Sequence, residues 1–514
     1  MPTFLVTMDF SVLYLAVPRL TADLAASGIQ QLWIVDIYGL MIAGFLVTMG
    51  TIGDRIGRRK LLFIGAATFG IASVAAAFST SPEMLIASRA LLGVAGAAVT
   101  PSVLALITGM FTDPQQSRRA LAVYLACFMG GATLGPLVGG VLLEYFWWGS
   151  VFLVSVPGIA LLLAFGRFLL PEQKAPQVGK LDPVSVVLSL AAILPFVYGL
   201  KELARNGWEW FPAGALAFGF AVGLVFVQRQ RRLEHPLLDL RMFGNRTFSS
   251  ALTLMFVTAV VGAGTLLLVT QYLQNVAGLT PLAAGLLLLV PNVLMIIGNL
   301  ATPPVANHIR PAYLITCGLI VAGVGYLVFT LADSTSGPMT IFIAMCVVML
   351  GTAPLAALCN LLAMGAVPPD KAGSGASIVQ TAAEFGIGFG IATLATLGTA
   401  VYRRNVEDGL GTARPDAADA ARESIDRAVA VAGQLPAEQS GDLLAAARDA
   451  FTSGMHVVGI VSAVIYVGLA VLAARAFRHV RNSRGDDDTT TDADPLPEAE
   501  SATPATQSHE RSSI

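Results

Sequence analysis

The chain has 514 residues, of which 55% are hydrophobic and 12% charged, and its mean hydropathy is +0.71. Soluble globular proteins carry about 25% charged residues, so this composition excludes an ordinary soluble domain and indicates helices packed in lipid. The 51 glycines fit this interpretation, because glycine lets membrane helices approach closely. With a net charge of -2 and its basic residues in short loops, the chain offers no surface for nucleic acid.

Apolar runs long enough to cross a bilayer, about 20 residues each, occur fourteen times. The first run lacks a preceding basic region and a following small-residue cleavage site, so we expect a membrane helix there and not a cleaved signal peptide. In chain order, the predicted spans are 3–20, 32–52, 61–78, 84–111, 120–143, 149–170, 183–201, 211–228, 247–272, 282–302, 312–332, 339–366, 373–401 and 454–476.

An even number of spans places both chain termini on the same side of the membrane. If that side is the cytoplasm, the short inner loops hold most of the loop arginines and lysines, including Arg55, Arg119 and Arg232. Basic residues concentrate in cytoplasmic loops of membrane proteins. The sequence therefore predicts a multi-pass protein of the bacterial cytoplasmic (inner) membrane with both termini inside.

The spans divide the chain into blocks of six, two and six. We predict an N-terminal six-helix bundle at 1–182, a two-helix linker hairpin at 183–230 and a C-terminal six-helix bundle at 231–476. Within the last block, apolar residues recur at helical spacing in 402–453, which predicts an extracytoplasmic helical hairpin before the last span. The acidic, Thr- and Pro-rich composition of 477–514 predicts a disordered cytoplasmic tail.

Asp9, Asp36, Arg89 and Glu384 lie away from the ends of predicted spans, and Asp54 lies at the end of a helix. Charge within a membrane is costly, so each of them is a candidate functional residue. An ionised carboxylate attracts a lipophilic cation, and protonation removes that attraction, so a proton and a cation would compete for the same group. The alternative is that the acids are structural hydrogen-bonding residues, and that Arg89 is a cation neutralised by a nearby carboxylate or carbonyl.

The stretch GTIGDRIGRRKLL, at 50–62, joins the second and third predicted spans on the inner side. Its glycines allow a tight turn, its aspartate can meet the positive N-terminus of a neighbouring helix, and its arginines can pair across the two halves or with lipid headgroups. A merely basic inner loop explains the charges but not the interleaved glycines. The residues of this motif are Gly50, Gly53, Asp54, Arg55, Gly57, Arg58 and Arg59.

The stretch GATLGPLVGG lies in the fifth predicted span. Gly131, Gly135 and Gly139 are four residues apart and line one stripe of the helix, next to Gly140, while Pro136 adds a bend. We expect this stripe to form a close helix contact that seals the pathway against proton leak.

Further polar and aromatic residues are candidates for lining a pathway. Trp33 and Tyr38 flank Asp36 and could stack on planar cations, although packing is the commoner role of such aromatics. Asn292 and Asn299 lie at mid-depth in the tenth predicted span, either on the pathway or in a helix–helix hydrogen bond.

Motifs for other chemistries are missing from the sequence. No phosphate-binding GxxxxGK[ST] loop occurs, the five histidines are dispersed, and the four cysteines lie far apart without metal-ligand spacing. We therefore expect no cofactor, no bound metal, no direct use of ATP and no enzymatic activity.

The segments TMDFSVLYLAVPRL, LWIVDIYGLMIAGFLVTMGTIGDRIGRRK, RALLGVAGAA and GATLGPLVGG together resemble the fourteen-helix drug:proton antiporters of the major facilitator superfamily, in particular the quaternary-ammonium and viologen efflux type. The resemblance runs from residue 3 to about 476 and implies an all-α membrane fold of two six-helix bundles plus two central helices. It also implies that Asp54, Arg55 and the basic residues after them form a conformational switch and that Arg89 takes part in proton relay.

The same resemblance identifies Gly135 and Pro136 with an antiporter motif, and Asp9, Asp36 and Glu384 with sites of protonation and cation recognition. We therefore expect proton-coupled efflux of lipophilic cations, such as quaternary ammonium compounds and dyes, by alternating access. The partners would be these cations, protons and membrane lipid. The alternative is an exporter of an endogenous metabolite or self-made antibiotic that uses the same proton antiport. A third hypothesis is a membrane enzyme or structural protein.

Overall fold

The computed structural model describes residues 1–110, 114–172, 182–206, 208–233, 240–334, 337–367, 372–409 and 415–480. Within these ranges, 14 helices are long and apolar enough to cross a membrane, which confirms the predicted number and the all-α fold class. The tail from 481 onward, which the sequence predicts to be disordered, lies outside the described residues.

The helices follow one another with short connections. Their bounds are α1 Pro2–Asp23, α2 Gly28–Ile56, α3 Arg58–Ala77, α4 Pro82–Met110, α5 Pro114–Tyr145, α6 Ser150–Leu153, α7 Ser155–Leu169, α8 Pro183–Asn206, α9 Trp210–Arg232, α10 Arg246–Gln271, α11 Pro281–Ala306, α12 Pro311–Val328, α13 Met339–Gly365, α14 Ala372–Gly390, α15 Thr396–Gly409, α16 Pro415–Glu423, α17 Ile425–Ala432 and α18 Ala437–Ala476.

Two spans contain a π-helical turn, a distortion often found at functional sites. Tyr272–Val276 extends α10, and Ile391–Ala395 joins α14 to α15 into one continuous span. The short α6 and α7 likewise form a single span. The eighteen helical pieces therefore reduce to the fourteen spans, with α16 and α17 outside them.

The spans pack in two groups. In the first bundle, defined as α1–α7, α1 packs on α5 and α4 packs on both α2 and α3; in the second bundle, defined as α10–α15 with α18, α13 packs on α11 and α12, and α10 packs on α14. The groups meet where α5 packs on α11 and where α2 packs on α14. This arrangement gives two seams between the bundles.

The linker helices lie against one of these seams. α8 and α9 pack on each other, and α8 also packs on α2 of the first bundle and on α15 of the second. Arg229 at the end of α9 pairs with Asp182 just before α8, with Nε 2.7 Å from Oδ2. Hydrogen bonding from Arg229 lowers the pKa of the Asp182 carboxyl to about 2, so this link is lost only in strong acid and persists at neutral pH.

The sequence predicts a hairpin of two helical arms in the region 402–453, and the structure differs from this prediction in the second arm. The first arm is α16 and α17, but the second arm is not a separate helix, because α18 continues without interruption from Ala437 to Ala476. Its 40 residues span about 60 Å at 1.5 Å per residue, longer than a bilayer core. The second arm of the hairpin is therefore a helical extension of the last span, and we call this end of the molecule the hairpin end.

The glycine stripe of α5 lies directly against α1. A β-carbon on Gly131 would collide with the Phe4 carbonyl and the Thr7 hydroxyl, and one on Gly135 would collide with the Ser11 hydroxyl. On a neighbouring face, a β-carbon on Gly140 would lie 2.7 Å from Cα of Leu282, in α11. The motif thus permits close contacts both within the first bundle and across one seam.

We expect Gly131→Ala to destabilise the protein by about 1–3 kcal/mol, because the added methyl group meets main-chain atoms of α1 that cannot move aside. Thermal unfolding of the purified protein in detergent measures the change. Gly130→Ala is the matched control: its β-carbon would lie 3.7 Å from the Phe4 ring, an ordinary contact. Equal melting temperatures for both variants would contradict the close packing of α1 on α5.

Candidate functional site

An ion pair lies in the interior of the first bundle. Arg89 of α4 donates from Nη1 to Oδ2 of Asp9 in α1 at 2.8 Å, and their side chains are 0% and 1% exposed. A buried charge without a partner is very costly, so each group neutralises the other. The structure thus supplies the carboxylate partner that the sequence led us to expect for Arg89.

Helix α2 completes the surroundings of Arg89. The guanidinium donates from Nε to the Ile34 carbonyl at 3.2 Å and lies 4.4 Å from the centre of the Tyr38 ring. The Tyr38 hydroxyl in turn donates to the Val6 carbonyl of α1 at 3.3 Å. Arg89 therefore links α1, α2 and α4, and Tyr38 stacks on a cation that belongs to the protein itself.

The Arg89–Asp9 pair does not satisfy all of its polar atoms. Within the described residues, Oδ1 of Asp9, Nη2 of Arg89 and the Tyr14 hydroxyl are buried without a hydrogen-bond partner. Buried unpartnered polar atoms are rare in folded proteins. All three atoms can bind a water molecule, and Oδ1 of Asp9 can also accept a proton.

Glu384 of α14 has a different environment. It is only partly buried, and its Oε1 accepts a hydrogen bond from Nε2 of Gln380, one turn earlier, at 2.9 Å. In the described part of the chain, no ion pair neutralises it. Of the predicted membrane acids, Asp9 and Asp36 are fully enclosed, 2% and 0% exposed, so Glu384 is the most accessible of the three.

The charged residues of the two bundles lie close to one another. A β-carbon on Gly39 of α2 would be 3.7 Å from the Glu384 carbonyl, and Gly39 is one turn from Asp36. Tyr14 lies within electrostatic reach of Arg89, Asp36 and Glu384 together. The fold therefore brings the four predicted charged residues near one another, three from the first bundle and one from the second.

The loop motif at 50–59 is anchored within the first bundle. Arg59 binds Glu172, which follows α7, with Nε 3.5 Å from Oε2, and it donates to the Leu170 carbonyl at 2.9 Å. For Arg59, the expected pairing across the two halves is thus replaced by a pairing inside the first, because α7 ends beside the start of α3. The Asp54 side chain lies outside the described residues.

The glycines of this motif differ in their surroundings. Gly57 has φ +111°, a conformation that side chains other than glycine rarely adopt, and a β-carbon there would collide with the Glu172 carboxylate. A β-carbon on Gly53 would lie 3.1 Å from Leu61, whereas Gly50 has open space. The turn predicted between α2 and α3 therefore depends on Gly57.

The remaining predicted residues are not gathered with the charges. Trp33 packs beside Leu40 and Val197, at the contact of α2 with the linker. Asn292 donates to the Leu288 carbonyl of its own helix at 3.0 Å and not to a neighbouring helix, while Oδ1 of Asn299 is buried without a partner among the described residues. A role for these side chains in lining the pathway stays a prediction.

Sequence reasoning did not single out the partners Gln380 and Glu172, nor Asp426 in the hairpin. Their signal in the sequence is weak: an amide four residues before a membrane glutamate, and acids in loops that hold many other acids. The neighbours of Glu172 and Asp426 come from distant parts of the chain, so only the fold identifies these two residues.

Comparison with known proteins matches the chain to one transporter superfamily and to efflux and resistance proteins. The model of the Major Facilitator Superfamily matches residues 3–391. The chain is 41% identical to the multidrug efflux pump LfrA of Mycolicibacterium smegmatis, over 93% of this chain and 95% of that protein. It is 32% identical to the methyl viologen resistance protein SmvA of Salmonella typhimurium, over 92% and 96% of the two chains.

Among solved structures, the fold is similar to a bacterial homologue of the human lysosomal transporter Spinster, in an inward-facing and unoccupied conformation. The TM-score is 0.63 at 18% identity, and the match covers 93% of this chain and 96% of that one. At this identity the likeness shows the fold alone.

We expect Asp9→Ala to destabilise the protein by roughly 3–5 kcal/mol, because Arg89 would stay buried without its counter-charge. The double variant Asp9→Ala/Arg89→Met should recover part of that loss, since no buried charge remains. Unfolding curves of the purified single and double variants in detergent measure both effects. Additive losses in the double variant would contradict a coupled pair.

Proposed function

Because the chain belongs to the Major Facilitator Superfamily, we propose that it is a proton-coupled multidrug efflux transporter that exports lipophilic cations by alternating access between its two bundles. With its fourteen membrane-capable helices, it is a multi-pass protein of the cell membrane. The relatives LfrA and SmvA, named for multidrug efflux and for methyl viologen resistance, support a cationic substrate.

The observation that carries the proposal is the difference between the membrane carboxylates. Asp9 is neutralised by Arg89, whereas Glu384 has an amide partner and no ion pair within the described residues. A carboxylate without a counter-cation attracts a positively charged substrate. Binding a proton removes the charge and releases the substrate, so proton and substrate exclude each other at Glu384.

The Asp9–Arg89 pair has a second role in this proposal. A proton that reaches Asp9 weakens its bond to Arg89, and Arg89 also holds α2 through the Ile34 carbonyl and the Tyr38 ring. Protonation in the first bundle would therefore change how α1, α2 and α4 are held together. Asp36, fully buried on α2, would pass on this change.

The orientation follows from the basic loops. We place both termini and the Gly57 turn in the cytoplasm, and the hairpin end outside. A membrane potential acts on each transported charge with about 2.3 kcal/mol per 100 mV. Exchange of one proton for one monovalent cation is electroneutral, so the potential does not drive it. Exchange of two protons for one such cation moves one net positive charge inward, so the potential drives it with the energy of one charge.

Replacing Glu384 by Gln should abolish ethidium efflux driven by a pH gradient in proteoliposomes, because the amide keeps the shape but neither ionises nor binds a proton. Dye fluorescence during an imposed gradient measures the rate at matched protein content. Glu144→Gln is the control, since Glu144 is an exposed carboxylate near the end of α5. Undiminished pH-driven efflux by the Glu384→Gln variant would refute the proposed coupling.

A further inference from the structure

A second buried carboxylate lies at the hairpin end, far in sequence from the site described above. Asp426, in the first turn of α17, is 3% exposed. Its Oδ2 accepts hydrogen bonds from Nε2 of Gln31 at 2.8 Å and from Nε2 of Gln271 at 2.9 Å, and its Oδ1 accepts one from Nδ2 of Asn275 at 2.6 Å. Hydrogen bonds to a charged group are stronger than neutral ones.

The three amides come from both bundles. Gln31 lies in the first turn of α2, in the first bundle. Gln271 is the last residue of α10, and Asn275 lies in the π-helical turn that follows it, in the second bundle. All three side chains belong to buried residues, 4% to 6% exposed. One carboxylate of the hairpin therefore bridges the two halves that must separate when this end opens.

The contacts around Asp426 are unequal between the bundles. The hairpin is bound to the second bundle by further hydrogen bonds: Arg448 of α18 donates to the Asn275 carbonyl at 3.1 Å, and Tyr402 of α15 donates to the Ala421 carbonyl at 2.7 Å. In the described part of the chain, Gln31 is the amide that reaches Asp426 from the first bundle. Asp426 is thus held by one amide of the first bundle and by two amides of the second.

The bundles also meet directly beside the cluster. Gln274 donates to the Leu15 carbonyl of α1 at 3.1 Å, and a β-carbon on Gly28, at the start of α2, would lie 2.8 Å from the Glu423 carbonyl. These contacts close the hairpin end around Asp426. A conformation that opens this end must therefore separate Asp426 from Gln31 or from the two amides of the second bundle.

We propose that Asp426 is the latch of an outer gate: its carboxylate holds the hairpin end closed by binding amides of both bundles, and the gate opens when Gln31 releases it while the hairpin moves with the second bundle. This inference rests on the proposed alternating access. It adds to Glu384 a second carboxylate, which binds no substrate and instead sets the balance between conformations open and closed at the hairpin end.

The test measures the gate without substrate or proton gradient. Spin labels on Met84→Cys, at the start of α4, and Met339→Cys, at the start of α13, report the distance between the bundles at the hairpin end by pulsed electron paramagnetic resonance. Both positions are exposed. The native cysteines are first replaced by alanine, and the resulting protein is checked for efflux; they are Cys127, Cys317, Cys346 and Cys359.

Asp426→Ala should raise the ratio of long to short distances about tenfold or more, because the closed state loses the hydrogen bond from Gln31 to a charged group, which the open state lacks in any case. Gln31→Leu removes the bond from the first bundle, leaves the hairpin itself intact and should give a shift in the same direction. It therefore decides the question even if the Asp426 variant does not fold.

Asp419→Ala is the matched control, because this acid is exposed on the same hairpin and pairs with Arg422. It should leave the distance distribution of the parent unchanged. Parent-like distances in both the Asp426→Ala and the Gln31→Leu variants would overturn the latch. Since Glu384 plays no part in this measurement, that outcome would leave proton-coupled efflux standing, and a failure of the Glu384 test would leave the latch standing.

Discussion

A charged side chain inside a membrane is costly, so it is either neutralised by a partner or kept for a function. This constraint determines how the interior of the molecule is arranged. Arg89 of α4 is fully buried, and its partners come from two neighbouring helices: a carboxylate of α1, and a main-chain carbonyl and the Tyr38 ring of α2. Because the charge cannot be left alone, these helices are held in a fixed relation. In our proposal, protonation of Asp9 changes that relation and so controls how the three helices pack.

Three carboxylates illustrate how the surroundings of one chemical group set its role. Asp9 binds a guanidinium and is locked in the core of a bundle, whereas Glu384 binds one amide and stays partly accessible at the centre. Asp426 binds three amides between the bundles, where burial raises the pKa of its carboxyl and the amides oppose that change. In our proposals, Asp9 controls the packing of the first bundle, Glu384 binds the substrate or a proton, and Asp426 holds the outer gate closed.

Much of this organisation is visible in the sequence, because the membrane imposes simple rules. Fourteen apolar runs of sufficient length can only be spanning helices, and the glycine stripe of α5 can only be useful where another helix comes close. The structure confirms the count of spans and places Gly131 and Gly135 against α1. Charges within apolar runs are costly, so Asp9, Arg89 and Glu384 stand out without any knowledge of the fold.

The partners of these residues were decided by the tertiary structure. Nothing in the local sequence relates Asp426 to Gln31, which is 395 positions away, or indicates that Arg59 pairs with Glu172 and not across the halves. Likewise, α18 continues as one helix from Ala437 to Ala476 through the predicted break, and it packs on α10, α12, α15 and α17. Local sequence fixes which segments must be buried in lipid, since burial depends on composition. It does not fix which buried groups meet, since that depends on how distant helices pack.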